Sequence, residues 1–365
     1  MTSDLFDTIE FPRGRPMPNR FMLAPLTNEQ SHADGTLSDD EHRWLTMRAQ
    51  GGFGLTMTCA AHVQEVGQGF PGQLGVWGDH QLPGLERLAD DIRATGSVAI
   101  AQLHHAGNRS PADLIGTTPV CPSDDPDTGA RALTTDEVEE LVADFVAAAV
   151  RCERAGFDGV ELHGAHGYII CQFLSTELNQ RTDRYGGDLA GRSRVLFDAL
   201  TGIRERCGDD FIVGVRLSPE RFGMRLAEIT ELSQQLIDTG QVDFLDLSLW
   251  DCFKEPEEDE WKGRSLVEIV CDLERRADPE GRTVPIGVAG KIHDPADASR
   301  VLEAGADFPV LGRVAILHHD YPNQLAADTG FTPVRPPVTA QYLRDEGLGE
   351  SFIGYMGRWP GFVEG

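Results

Sequence analysis

Short apolar, β-rich runs recur along the chain, and each is followed by a segment whose apolar residues return every three or four positions. The runs at 21–25, 54–59, 98–103, 159–163, 211–217, 244–248, 284–289 and 308–311 predict strands. The segments at 39–50, 82–95, 136–155, 191–207, 227–239, 265–277, 295–304 and 320–327 predict helices. The third helix shows the pattern most fully. Val138, Leu141, Val142, Phe145, Ala149 and Cys152 share one face, Thr134 and Glu137 make a capping-box pair ahead of them, and Gly156 supplies the stop.

Eight strand–helix pairs in succession predict an α/β fold, a single (β/α)8 TIM barrel. The competing arrangement, an open doubly wound sheet, has fewer repeats and a nucleotide fingerprint after its first strand. Gly67-Gln-Gly-Phe-Pro-Gly72 matches that fingerprint literally, but it lies well past the second strand, carries Pro71 and opens no helix. Pro309 is awkward inside the last predicted strand, since every barrel strand is central; the strand starts at Val310 or holds a bulge. Residues 1–330 read as one barrel domain with extended βα loops, the longest of which, 104–134, covers the mouth. An acidic stretch, 254–260, follows strand six. Residues 331–365 read as a C-terminal arm packed on the barrel or on a neighbouring subunit.

Composition narrows the classes. With 365 residues, 40% of them hydrophobic, the chain can bury a sizeable core. Its net charge is −27, and Lys254, Lys262 and Lys291 are its lysines. Such a chain has no overall attraction for nucleic acid or anionic lipid. Its acidic, lysine-poor surface suits a solvent of high salt, where screening relieves self-repulsion. No apolar run approaches the roughly 18 residues of a membrane span, and the first residues lack the basic and apolar blocks of a secretory leader. The seven cysteines are scattered, with no Cys-x-x-Cys, which points to reduced thiols in the cytoplasm.

Barrel chemistry sits at the carboxyl ends of the strands. Strand four ends Glu161-Leu-His163-Gly-Ala-His166-Gly-Tyr168. Alternation turns Glu161 and His163 inward, with His166 and Tyr168 just above. Two imidazoles and a phenol there can polarise a carbonyl and deliver a proton. The same histidines resemble a metal-ligand pair. The ends of strands one, seven and eight, at Pro25, Ala289-Gly290 and Leu311-Gly312, offer no further ligand, so no metal is expected. No lysine lies in a strand for Schiff-base chemistry, and no second carboxylate ends strand seven for glycoside hydrolysis. Arg216, in strand five, needs a buried partner, and Glu161 is the expected one. Arg216 also suits a cofactor that becomes anionic. Gln102, at similar depth in strand three, suits a planar heterocycle. Gly290 with Lys291 and Gly312 with Arg313 end strands seven and eight, the usual phosphate site of such barrels.

Together these residues resemble the old yellow enzyme family of FMN-dependent ene-reductases over about residues 5–330. The most specific stretch is His163-Gly-Ala-His-Gly-Tyr168-Ile-Ile-Cys-Gln-Phe-Leu-Ser175, followed by Asn179-Gln-Arg-Thr-Asp-Arg-Tyr-Gly-Gly187. Ala24-Pro-Leu-Thr27, Gln102-Leu-His-His-Ala-Gly107, Arg216 and Gly305-Ala-Asp with Gly312-Arg313 support it. The resemblance implies tightly bound, non-covalent FMN, with NAD(P)H as co-substrate. Hydride would pass from NAD(P)H to flavin N5 and then to an activated alkene: an enone, enal, maleimide or nitroalkene. By the same resemblance His163 and His166 hold the substrate oxygen and Tyr168 protonates Cα. Thr27 meets the flavin O4 region, Pro25 and Ala60 pack on the ring with Leu26 beside them, and Gln102 binds the pyrimidine edge. Arg216 lies near N1 and O2, and Ala289, Gly290, Gly312 and Arg313 hold the phosphate. A homodimer or larger homo-oligomer is allowed, with Gly357-Arg358-Trp359 reaching a neighbour's active site as in some relatives. The chain departs from one branch at Asn28-Glu29-Gln30, where that branch has a substrate-facing tyrosine, and at Thr27, where it has Cys. Cys59 stands where a Glu is frequent. Larger relatives carry a cysteine cluster; none is present here, so FMN alone is expected.

Overall fold

The computed structural model describes residues 2–365. Eight parallel strands close into a barrel: β1 (Met22–Leu23), β2 (Leu55–His62), β3 (Val98–His104), β4 (Gly159–Gly164), β5 (Ile212–Leu217), β6 (Phe244–Ser248), β7 (Ile286–Ala289) and β8 (Phe308–Leu311). Sequence neighbours are sheet neighbours throughout, and β8 closes onto β1. β1 is shorter than predicted. The Phe21 amide is diverted to the Asn19 side chain at 3.0 Å, and Pro25 has no N–H to extend the ladder. Pro309 does lie within β8, in register with Val288 of β7, while pairing with β1 starts at Val310.

The helices follow the predicted periodicity, with two corrections. The segment predicted at 265–277 is helical only over Leu266–Val270. The segment at 191–207 divides at Ser193 into Leu189–Arg192 and Arg194–Arg206. Helix Thr135–Arg154 carries the expected capping box. Glu137 N donates to Thr134 Oγ1 at 3.2 Å and Thr134 N donates to Glu137 Oε2 at 2.8 Å, a cap worth about 1 kcal/mol.

The lower barrel is apolar and the upper barrel polar, and this division positions the site. An N-terminal hairpin, bridged at Ile9 and Met17, folds under the barrel and sets Phe11 5.8 Å from Phe244. Room for the rings comes from two strand glycines. A Cβ on Gly214 would come within 2.1 Å of the Phe244 ring, and one on Gly287 within 2.0 Å of the Phe308 ring. Higher up, register aligns Gln102 with Glu161, His163 with Arg216, and Arg216 with Asp246. An irregularity in β2 between Met57 and Ala60 brings Ala60 opposite Gln102.

The C-terminal arm carries helices Ala340–Asp345 and Glu350–Gly357 and touches the barrel through Phe352, Gly349 and Arg358. Phe352 meets Trp44 edge-to-face at 5.3 Å. Gly349 N donates to Gln30 Oε1 at 2.7 Å, and Arg358 grips Glu29 through two hydrogen bonds of 2.9 Å. The Asn28-Glu29-Gln30 segment, singled out as a departure, is therefore where the arm docks. Asn28 itself bonds buried Glu41 at 3.0 Å. Among the described residues no helix is long and apolar enough to cross a membrane.

Candidate active site

Two adjoining cavities open at the carboxyl ends of the strands. The larger, about 530 Å³, is lined by Pro25, Leu26, Thr27, Ala60, Gln102, His163, His166, Tyr168, Arg216 and Arg313. The smaller, about 270 Å³, is lined by Ala289, Gly290 and Gly312, and shares Leu26, Arg216 and Arg313 with the first. The fold thus brings every candidate site residue of the sequence to one continuous space. Phe70, Arg109, Arg221, Phe222 and Trp250 from the loops and Tyr355 and Met356 from the arm, none of them singled out in the sequence, complete the walls together with Trp359 of the arm, which was.

The floor corrects one expectation. Arg216 pairs with Asp246 of β6, Nε to Oδ2 at 3.0 Å, rather than with Glu161. The N–H is not aligned on the carboxylate, so the contact is a charge pair without a formed hydrogen bond. Glu161 Oε1 instead accepts from Gln102 Nε2 at 2.7 Å, and its Oε2 has no hydrogen-bond partner among the described residues. Burial drives the Glu161 carboxyl well above the usual range; the Asp246 charge adds to this and Arg216 opposes it. Burial also raises Asp246, to about 6, against the pull of Arg216. At the floor a cation and an anion face each other beside Glu161, whose neutral form burial favours.

The wall is a chain of histidines. His104 Nδ1 lies 3.0 Å from His163 Nδ1, His163 Nε2 lies 2.8 Å from His166 Nδ1, and His166 Nε2 lies 2.8 Å from Ser248 Oγ. Burial holds all three rings below the ordinary imidazole range, with neighbouring cationic charge adding to the effect; His166 falls to about 3. The rings are therefore neutral, each with one N–H, and the chain runs in a single sense from His104 to Ser248 or the reverse. His163 and His166 engage each other, and among the described residues no group of three His, Cys, Asp or Glu side chains is arranged for a metal ion. The Tyr168 ring is fixed on three sides. It stands edge-on to His104 at 4.3 Å and to His163 at 5.1 Å, under the Arg109 guanidinium at 4.6 Å.

The residues fit a flavin mononucleotide. Arg216 is 5% exposed yet donates no hydrogen bond among the described residues, so its guanidinium remains available at the cavity floor. Gln102 keeps its carbonyl and a second N–H for a heterocycle edge. Arg313 has no ion-pair partner among the described residues, and it follows Gly312 at the start of helix Arg313–Leu317, where first-turn N–H groups lack helical acceptors. Burial, then the charges of Arg313 and Arg335, keep nearby His293 below the usual imidazole range, the signature of a positive subsite. Lys291 is engaged by Asp251 at 2.9 Å, whereas Arg313 lines the smaller cavity, beside Arg216, without an ion-pair partner among the described residues.

Comparison with known proteins gives the class. The family model described as NADH:flavin oxidoreductase / NADH oxidase matches residues 4–329. "Probable NADH-dependent flavin oxidoreductase YqiG" of Bacillus subtilis (strain 168) is 38% identical over 320 residues, 85% of this chain and 84% of that protein. The old yellow enzyme homologue from Zymomonas mobilis superposes with a TM-score of 0.77 at 26% identity, covering 93% of this chain and 96% of its own. Morphinone reductase in complex with tetrahydroNAD gives 0.76 at 27% identity, covering 93% of each chain. The chain belongs to the NADH:flavin oxidoreductase / NADH oxidase family, the old yellow enzyme family. It is an NAD(P)H-dependent flavin oxidoreductase with FMN as its cofactor.

Proposed function

We propose that this oxidoreductase reduces activated C=C bonds, in enones, enals, maleimides and nitroalkenes, with Tyr168 as the proton donor. The observation that carries the reading is the convergence of His163, His166 and Tyr168 on the wall of a cavity floored by Arg216. When bound, FMN supplies the hydride chemistry that couples NAD(P)H oxidation to reduction of the alkene. Pro25, Leu26, Thr27 and Ala60 would hold its ring, Gln102 and Arg216 its polar edge, and Ala289, Gly290, Gly312 and Arg313 its phosphate.

The residues divide the remaining work. As hydride reaches Cβ, negative charge gathers on the activating oxygen, and N–H donors aimed there lower the barrier. Entry of that oxygen replaces the 2.8 Å bond between His163 and His166. Neutral imidazoles suit this role because they donate a hydrogen bond but keep the proton, so the charge stays delocalised toward Cα. Tyr168, held between His104, His163 and Arg109, then delivers its proton to Cα as general acid.

The test is anaerobic turnover of 2-cyclohexenone and N-ethylmaleimide with NADH and NADPH. Tyr168→Phe is expected to keep reduction of the flavin by nicotinamide and to lose about 10²-fold or more in alkene reduction. An alkene rate unchanged in that variant removes Tyr168 from the role. Flavin that NAD(P)H bleaches but no activated alkene restores removes the reaction.

A further inference from the structure

In a chain where acidic residues outnumber Lys and Arg by 59 to 32, the larger cavity reverses the sign: Arg109, Arg216, Arg221 and Arg313 line it, and no Asp or Glu does. FMN accounts for Arg216 and Arg313. The other two flank the turn that carries the acid and the donors. Arg109 Nη1 donates to His166 O at 2.6 Å, and its guanidinium lies over the Tyr168 ring. Arg221 precedes Phe222, whose ring packs so closely on Gly167 that a Cβ there would come within 2.8 Å. Glu257 reaches Arg221 only at Nε, at 3.4 Å, and Trp250 lies under the guanidinium at 5.0 Å. Arg221 and Phe222 both hold left-handed backbone, φ 70° and 56°, a conformation that bulky residues adopt at a cost. The strained turn keeps a cation at the mouth, and the Arg109 charge contributes to keeping His104, His163 and His166 neutral.

We propose that the alkene reduced here carries, beyond its activating oxygen, an ionised carboxylate held by Arg109 and Arg221. The inference rests on the alkene-reduction reading above and names its substrate class. In the reaction the C=C bond becomes C–C. A hydride originating from NAD(P)H adds to Cβ, the Tyr168 proton adds to Cα, water restores that proton, and the carboxylate passes through unchanged. Arg109 favours this ligand over the phosphates of the nicotinamide donor because its guanidinium lies against the ring of Tyr168, the group that meets the substrate's Cα. A bidentate guanidinium contact suits a planar carboxylate.

The experiment compares trans-4-oxo-2-pentenoate with its methyl ester, which keeps the enone, removes the charge and is intrinsically the more activated alkene, so that a preference for the acid has to come from binding. The expected result is a kcat/KM for the acid about tenfold or more above that of the ester at low salt, falling toward parity in Arg109→Gln and Arg221→Gln. Arg109→Lys is expected to retain part of the preference. Equal turnover of acid and ester overturns the proposal, as does a ratio that the Gln variants leave in place. A weaker NAD(P)H affinity in the reductive half-reaction, with the acid-to-ester ratio unmoved, assigns the arginines to the donor's phosphates and also overturns it. Flavin that NAD(P)H bleaches but neither compound reoxidises overturns the alkene reading itself.

Discussion

Arg216 Nε lies 3.0 Å from Asp246 Oδ2 across the β5–β6 step, with both side chains shut away from solvent. The pair is charged but not hydrogen-bonded, so it neutralises the cation without tying down its remaining donors. Asp246→Asn leaves a buried guanidinium without its counter-charge. The expected loss is about 3 kcal/mol of stability in flavin-free protein, at the lower end of such effects because Glu161 can ionise in compensation. Urea titration measures it; a loss under about 1 kcal/mol would place the compensation wholly on Glu161.

His104 touches both His163 and Tyr168 without lying on the larger cavity's lining. It is a positioning residue: its ring fixes which nitrogen of His163 carries the proton. His104→Phe keeps the packing on Tyr168 and removes the hydrogen bond. Alkene reduction is expected to fall about tenfold, the value of one buried hydrogen bond, while reduction by NAD(P)H is spared. The ¹⁵N spectrum of His163, showing a single neutral tautomer in the parent and a mixture in the variant, separates this from simple structural damage.

Five buried imidazoles make the fold acid-sensitive. His62 is held at about 4 and His105 and His166 at about 3, chiefly by burial, and His104 and His163 lie well below the usual range. Each binds its proton in the unfolded chain near pH 6.5 but not in the fold, so stability is complete above 6.5 and falls as pH drops toward 3. Asp246, raised to about 6, acts in the opposite direction between about 6 and 3.8, and Glu161 and Glu41, both raised by burial, act in the same opposing sense. The histidines outnumber these carboxyls, so stability still falls with acidification, by about 1.4 kcal/mol per pH unit for each uncompensated proton. Denaturation at pH 7.5, 6.0 and 5.0 measures it, and a flat profile would contradict neutral burial.

The arm finishes the mouth. Trp359 is 43% exposed and lines both cavities, held there by the Arg358–Glu29 pair. Trp359→Ala is expected to raise KM for the alkene a few-fold with little change in stability, because a half-exposed ring contributes little to the core. Phe352→Ala, which removes a fully buried ring from Trp44, is expected to detach the arm and produce the same kinetic change with added loss of stability, about 3 kcal/mol or less if the arm alone unfolds. Identical kinetics in both variants and the parent would exclude the arm from the site.

The barrel was legible because period-2 and period-3.6 patterns alternate cleanly, and the strand-end rule then located the site. What failed needed neighbours distant in sequence. Arg216 read as an inward cation, but its partner depends on the β5–β6 register; Asp246, a charge inside Phe244-Leu-Asp-Leu-Ser248, was the available signal. His104 stood in a motif of the resemblance, yet its contact with His163 spans 59 residues. Arg109, Arg221, Phe222 and Trp250 lie in the connections between barrel strands and helices, where no periodicity reports direction. Helix 265–277 was over-read because leucine spacing near Leu273 continues a helical pattern after the backbone has left it.

The docking of residues 349–358 on residues 29–30 has a physical corollary. A lid joined to its own barrel meets the mouth at an effective concentration set by the length of the connecting chain, not by how much protein is in solution. The contribution of these contacts to closing the site is then independent of dilution.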